Sequence, residues 1–225
     1  MADRFYTADA LRPGEYQLTG PEAHHLHAVR RIDVGERITL FNGDGFEYPA
    51  EVLDVGKKSV ALLVAEAVAA SRERTPPLWI ASALPKGDRL DFLIEKLTEL
   101  GVTRFVPLVT DRSIVRPKAD VVEKYQRMVV EASKQCGRNV LMTIDPPASW
   151  AQFVRRIDLP PLRLILHPGG SLALSKTTEE AVVAIGPEGG FSESETAVPG
   201  WAVARLGPTI LRIETAAIAA ACSLL

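Results

Sequence analysis

The chain has 225 residues, 47% of them hydrophobic and 24% charged, with a formal net charge of −2. That length accommodates one large domain or two small ones, and the composition is ordinary for a soluble globular protein. The near-neutral balance excludes a global basic field, so any nucleic-acid partner must be met by a local patch.

Cys136 and Cys222 lack metal-type spacing, which points to a reduced protein without a disulfide. No basic segment followed by an apolar one opens the chain, and no apolar run reaches transmembrane length. A cytoplasmic protein with no membrane partner is the expectation.

Residues 1–70 read as a small β-rich module. Tyr16–Thr19 and Glu36–Phe41 alternate as short strands, and Asn42-Gly-Asp-Gly45 is a hairpin turn suited to φ > 0. Glu47–Val55 and Ser59–Val64 follow, separated by Gly56-Lys-Lys58. Pro21–Arg31 reads as a helix opened by Pro-Glu, with Leu26 and Val29 on one side. Several short strands in so short a span predict a small barrel or partly open sheet.

Residues 71–77, Ser-Arg-Glu-Arg-Thr-Pro-Pro, form the linker candidate. Beyond it, strands alternate with helices over 78–225. Leu78–Leu84 is a buried-strand run, and Asp88 is placed to cap a helix carrying Leu90, Leu93, Ile94, Leu97 and Leu100, with Gly101 as C-cap. Arg104–Val109 is the next strand, and 120–135 a second amphipathic helix ending at Cys136-Gly137. Trp150–Arg156 reads as a short helix; Leu162–Leu166, Ala181–Ile185 and Trp201–Leu206 complete the strands. Ser192 and Glu195 form an S-x-x-E capping pair, and a final helix is slimmed by Ala216, Ala217, Ala219, Ala220 and Ala221. The alternation predicts an α/β fold with a mostly parallel sheet covered on both faces.

Two apolar strands end in glycine-containing turns, Gly186-Pro-Glu-Gly-Gly190 and Leu206-Gly-Pro-Thr-Ile-Leu-Arg212. Strand ends of an open α/β sheet are where small ligands bind, and glycine lets backbone groups approach them. The first turn matches neither the dinucleotide nor the P-loop spacing. Arg212 and Glu214 stand in an otherwise apolar stretch, either as an ion pair or with the guanidinium projecting into the ligand cleft. Gln135-Cys-Gly-Arg138-Asn139 reads equally as a capped helix end or as an RNA-contacting loop. No histidine near Cys136 makes it a nucleophile. His24, His25 and His27 do not share one helix face and have no acidic ligand, so no metal is expected. With Arg30, Arg31, Lys57 and Lys58 they suggest a polar, RNA-facing edge.

Read together, Arg4-Phe-Tyr, His25–Arg31, Lys86-Gly-Asp-Arg, Glu95–Val102, Glu131–Arg138, Ile185–Gly190 and Leu206–Ala216 form an ordered set. The chain resembles the bacterial 16S ribosomal RNA uridine-N3 methyltransferases of the SPOUT superfamily (the RsmE type), over essentially its full length. The resemblance implies an N-terminal PUA-like RNA-binding barrel, an α/β domain with a C-terminal trefoil knot, and a homodimer packed through the knots. It implies S-adenosyl-L-methionine as cofactor, held by Leu166 and His167, by Gly186, Pro187, Glu188, Gly189 and Gly190, and by Leu206, Gly207, Leu211, Arg212 and Thr215. Its partner would be 16S ribosomal RNA or the small ribosomal subunit, contacted by Arg4, Arg30, Arg31, Lys86, Arg138 and Asn139. The chemistry implied needs charge stabilisation on the uracil, for which Arg212 is the candidate, and a proton-accepting or orienting carboxylate, Glu188 or Glu214. The alternatives are a non-catalytic RNA-binding or assembly factor of the same fold, or another RNA target.

Overall fold

The computed structural model describes residues 3–117 and 121–224. Contacts divide the chain into two compact units, Met1–Glu73 with Ser133–Leu141, and Arg74–Ala132 with Met142–Leu225.

The first unit holds β1 (Arg4–Tyr6), β2 (Gly14–Thr19), α1 (Gly20–His24), β3 (Arg37–Phe41), β4 (Phe46–Val55), β5 (Ser59–Val64) and β6 (Val68–Ala69). They form a six-stranded sheet in the order β1-β3-β4-β5-β2, with β6 pairing β4. The Asn42–Gly45 turn joins β3 and β4 antiparallel, Gly43 and Gly45 both taking positive φ (93° and 96°). Along β4 the pleat buries Tyr48, Ala50 and Val52 and turns Pro49 and Glu51 outward, the period-2 pattern of a sheet with one face on a core. Leu18, Ile38, Leu40, Val60 and Leu62 supply the rest of that core. The Tyr48 phenol donates to Asp44 at 2.5 Å, and that acceptor together with burial pushes its pKa up to about 12.

The segment Pro21–Arg31 is not one regular helix. After α1 the chain widens into a π-helix over His25–Arg30, and the N–H of Arg31, at φ 52°, bonds the carbonyl of Leu26. The wider turn leaves Leu26 buried but Val29 68% exposed, so these two do not share an apolar face.

Residues 71–77 are not a free tether. Arg72 donates to Glu47 and to the Gly137 carbonyl, and Glu73 pairs with Arg138, all within the first unit. Burial alone would raise the Glu47 pKa, but the guanidiniums of Arg72 and Arg4 hold it below its ordinary value. Arg74 belongs to the second unit, where it donates to Pro76 and to the Ala221 and Leu224 carbonyls.

The second unit comprises β7 (Leu78–Ala83), α2 (Arg89–Glu99), β8 (Arg104–Val109), β9 (Thr143–Ile144), β10 (Ala148–Ser149), α4 (Trp150–Phe153), β11 (Leu162–Leu166), β12 (Leu172–Ala173), β13 (Ala181–Ile185), α5 (Glu193–Thr196), β14 (Ala202–Arg205) and α6 (Ile213–Ser223). Helix α3 (Val121–Cys136) begins here and gives its last residues to the first unit; Asp120, its expected first residue, lies outside the described residues. The sheet is parallel, in the order β10-β8-β7-β13-β11-β14-β12 with β9 on β8. At its centre all five residues of β13 are buried, which is why that run is uniformly apolar and does not alternate. Helix α6 packs on α2, β7 and β13, and Ala217, Ala220 and Ala221 form its buried face.

Two local expectations need correction. Asp88 does not cap α2 through its side chain: its own backbone is helical, and the first turn is closed by Leu90 on Gly87 and by Phe92 on Asp88. The helix opening at Trp150 stops at Phe153. The Ser192–Glu195 capping box forms with both reciprocal bonds, Glu195 accepting from the Ser192 N–H at 2.8 Å.

Candidate active site

Strands β11, β13 and β14 end at one level, because Leu166 is in register with Ile185 on one side and Ala204 on the other. The segments leaving the three strands therefore converge: Leu166-His-Pro168, Gly186–Gly190, and Arg205–Leu211 running into the first turn of α6. Between them lies an open-sided cleft of about 680 Å³ including its mouth, within the range that takes a small ligand. Its walls are largely apolar, with Leu166, Ile185, Leu206, Leu211, Ile213 and Ala216, and its polar side chains are His167, Glu188, Arg205 and Thr209.

Each turn is held by a specific device. The His167 N–H bonds the Ala204 carbonyl, its own carbonyl accepts from Gly170, and its Nδ1 accepts from the Gly169 N–H at 3.1 Å. Gly170 is obligatory: a Cβ there would stand 2.5 Å from the carbonyl carbon of Ala204. In the next turn Gly190, at φ 68°, bonds the Pro187 carbonyl, and Gly186 lies so close to Phe191 that a Cβ would meet the ring at 3.0 Å. Gly207 differs from both. A Cβ there would meet nothing within 4 Å, so neither packing nor a positive φ demands glycine. A cleft residue kept bare without an internal reason leaves its backbone open to a ligand.

Of the residues expected to hold a cofactor, Leu166, His167, Gly186, Pro187, Glu188, Gly190, Leu206, Gly207 and Leu211 line this cleft. Gly189, Arg212 and Thr215 do not. Gly189 lies against the Arg112 side chain, Arg212 is the exposed N-cap of α6, and Thr215 is exposed on that helix. Pro168 and Arg205 are wall residues outside the motifs, while Ile185, Thr209, Ile210, Ile213 and Ala216 lie within them but were not singled out as cofactor contacts. For Ile213 and Ala216 the i, i+3 spacing next to Leu211 was a usable signal.

The two charged residues of that last stretch do not pair with each other. The Glu214 side chain is 10% exposed and stands 3.7 Å from Arg89, while its Oε2 is buried without a hydrogen-bond partner. The Arg212 side chain is free of partners among the described residues.

Three of the six expected RNA contacts are interior groups. Arg4 lies over the Phe41 ring and donates to Glu47 and Asn139; Arg138 is 3% exposed and paired with Glu73; Asn139 is fully buried and also donates to Ala70. Their polar groups tie the first unit's segments together and do not face solvent. Arg30, Arg31 and Lys86 are exposed, Arg30 pairing with Asp3 and Glu36. Among the described residues no group of three metal-ligating side chains gathers, and no helix is long and apolar enough to cross a membrane.

Comparison with known proteins identifies this parallel sheet with its glycine-bordered cleft, and the small β unit before it in the chain, as those of an RNA methyltransferase. A family model described as an RNA methyltransferase domain matches residues 72–225, and one described as an RNA methyltransferase PUA domain matches 18–64. Ribosomal RNA small subunit methyltransferase E of Bacillus subtilis (strain 168) is 34% identical over 220 residues, 89% of this chain and 86% of that protein. Its Synechocystis counterpart is 33% identical over 210 residues, 88% and 69% respectively. The solved structure of the Neisseria gonorrhoeae enzyme of that name, bound to S-adenosyl methionine, superposes with a TM-score of 0.89 at 29% identity, over 98% of this chain and 96% of that one. A methyltransferase from Legionella pneumophila in complex with SAM gives 0.89 at 34%, over 99% and 96%. The chain belongs to the ribosomal RNA small subunit methyltransferase E family.

Proposed function

We propose that this protein methylates N3 of a specific uridine in 16S ribosomal RNA, with S-adenosylmethionine as donor. The observation that carries the reading is the cleft at the ends of β11, β13 and β14, with Gly207 kept bare in its wall. The lining fits the donor: apolar side chains for an adenine ring, exposed backbone in the Leu206–Leu211 turn, and Glu188 as a carboxylate for a polar group. When bound, S-adenosylmethionine supplies an electrophilic methyl on a sulfonium.

The rest falls to the chain's own residues. Uracil N3 carries a weakly acidic proton that must leave before the nitrogen becomes a nucleophile, and negative charge then spreads onto O2 and O4. Glu188 is the exposed carboxylate of the cleft and takes the proton-accepting role. Arg212, uncommitted at the start of α6, supplies the guanidinium that stabilises the spreading charge. Glu214, buried behind the wall against Arg89, orients and does not touch substrate.

The remaining features belong to the same reading. The β11, β13 and β14 turns and α6 form a trefoil knot, supported by the slim alanine face that lets α6 lie against β7 and β13. The six-stranded sheet of the first unit is a PUA-like barrel that binds the RNA, with Arg30 and Arg31 exposed at the end of its π-helical turn. The working molecule is a homodimer packed through the knots.

The test is mass spectrometry of 16S RNA nucleosides from a strain lacking the protein, with loss of 3-methyluridine expected and restoration by the wild-type gene. Retention of all 3-methyluridine in the deletion strain contradicts the assignment. Arg212→Ala should fold, bind the donor and lose roughly 100-fold or more in single-turnover methylation; an unimpaired rate removes it from the catalytic set.

A further inference from the structure

The loop after β8, Thr110–Ser113, grips the glycine turn of the cleft from outside. Arg112 donates through Nη1 to the Gly189 carbonyl at 2.8 Å and reaches the Phe191 carbonyl at 3.5 Å. Its Cβ and Cδ lie so close to Gly189 that a Cβ there would meet them at 3.3 and 3.4 Å. Beside it, Glu195 accepts from the Asp111 N–H at 2.9 Å and the Ser192 N–H at 2.8 Å, and Ser192 Oγ donates to Asp111 at 2.8 Å.

One peptide unit is thus held from both edges. The carbonyl of Gly189 faces Arg112, and the N–H of Gly190, in the same plane, bonds the Pro187 carbonyl at 2.8 Å. Glycine at 189 and 190 gives that peptide little intrinsic preference, so without a donor on the outer side only the Gly190–Pro187 bond restrains its rotation. Rotation would carry Pro187, Glu188 and Gly190 out of place in the cleft wall.

We propose that Arg112 is a positioning residue: by fixing the Gly189–Gly190 peptide it pre-forms the cofactor turn and sets the affinity for S-adenosylmethionine. This rests on the proposed function for its ligand, but the device itself is a property of the free protein. Pre-organisation of a glycine turn raises affinity by removing an ordering cost at the moment of binding. Nothing in the spacing of Thr110-Asp-Arg-Ser113 from the glycine turn, 77 residues away in sequence, announces the contact.

The experiment compares wild type, Arg112→Ala and Arg112→Lys by calorimetric titration with S-adenosylmethionine and by amide hydrogen exchange of residues 186–191 in the free protein. Arg112→Ala is expected to weaken binding about tenfold, which is about 1.4 kcal/mol, and to speed exchange at Gly190. Arg112→Lys, which keeps one cationic donor, should recover affinity to within about threefold. Unchanged affinity, unchanged Gly190 exchange, or a loss that lysine does not recover overturns the proposal. Wild-type protein that binds no S-adenosylmethionine contradicts the proposed function instead, and the exchange comparison still decides whether Arg112 holds the turn.

Discussion

Glu214 illustrates how the partner of a charged residue can lie outside the stretch that draws attention to it. A charged pair two positions apart among alanines marks a functional stretch, but residues i and i+2 point to different sides of a helix. The structure gives the carboxylate to Arg89 on α2 and leaves Arg212 unpaired among the described residues. A buried carboxylate with one oxygen unsatisfied depends heavily on its single counter-charge. Arg89→Ala should therefore destabilise the protein by about 1–3 kcal/mol, and Glu214→Gln added to it should return part of that loss. Urea melts of the four proteins in the cycle measure this; strictly additive effects would show that the pair does not interact. Arg138 and Asn139 teach the converse lesson. A cation and an amide after a helix end carry no sequence mark that separates a surface loop from a buried knot of hydrogen bonds, and the burial of both decides it.

Among the elements, the most legible were those whose pattern follows from their own neighbours. Strand β4 alternates, β13 is apolar throughout, α2 repeats at 3.6 residues, and the Ser192 capping box is a four-residue signature. The irregular π-turn over His25–Arg30 was not, because the carbonyl that the Arg31 N–H selects depends on packing around Leu26. Of the cleft, the turns after β13 and β14 were visible as glycines ending apolar runs, whereas nothing in the sequence drew attention to Gly170. Its necessity comes from the backbone of β14, more than thirty residues on. Gly170→Ala should cost about 1–3 kcal/mol through overpacking and should displace the His167 turn. Thermal unfolding checks the first, and weakened donor binding the second. A variant as stable as wild type, with the same affinity, would contradict the close packing.

For the molecule as a whole, the division into two units separates the cleft from the exposed arginines of the β unit. Every residue of the cleft wall belongs to the second unit, and the exposed Arg30 and Arg31 belong to the first. Adding S-adenosylmethionine should slow hydrogen exchange in the turns after β11, β13 and β14 and in the first turn of α6, while β1–β6 stay unchanged. Protection confined to the first unit would move the donor site out of the cleft. The change from meander to alternation near residue 71 lies close to the division after Glu73. The return of 133–141 to the first unit, after 59 residues spent in the second, has no such mark.

Arg74 carries a consequence for how the protein is made. Its guanidinium, at the start of the second unit, holds the carbonyls of Ala221 and Leu224 near that unit's end, and α6 covers β7, the first strand of that unit. During synthesis β7 emerges early and waits with its apolar face uncovered until α6 has left the exit tunnel. The second unit therefore completes its core only once α6 has emerged, and a nascent chain halted before α6 would present that bare face to chaperones.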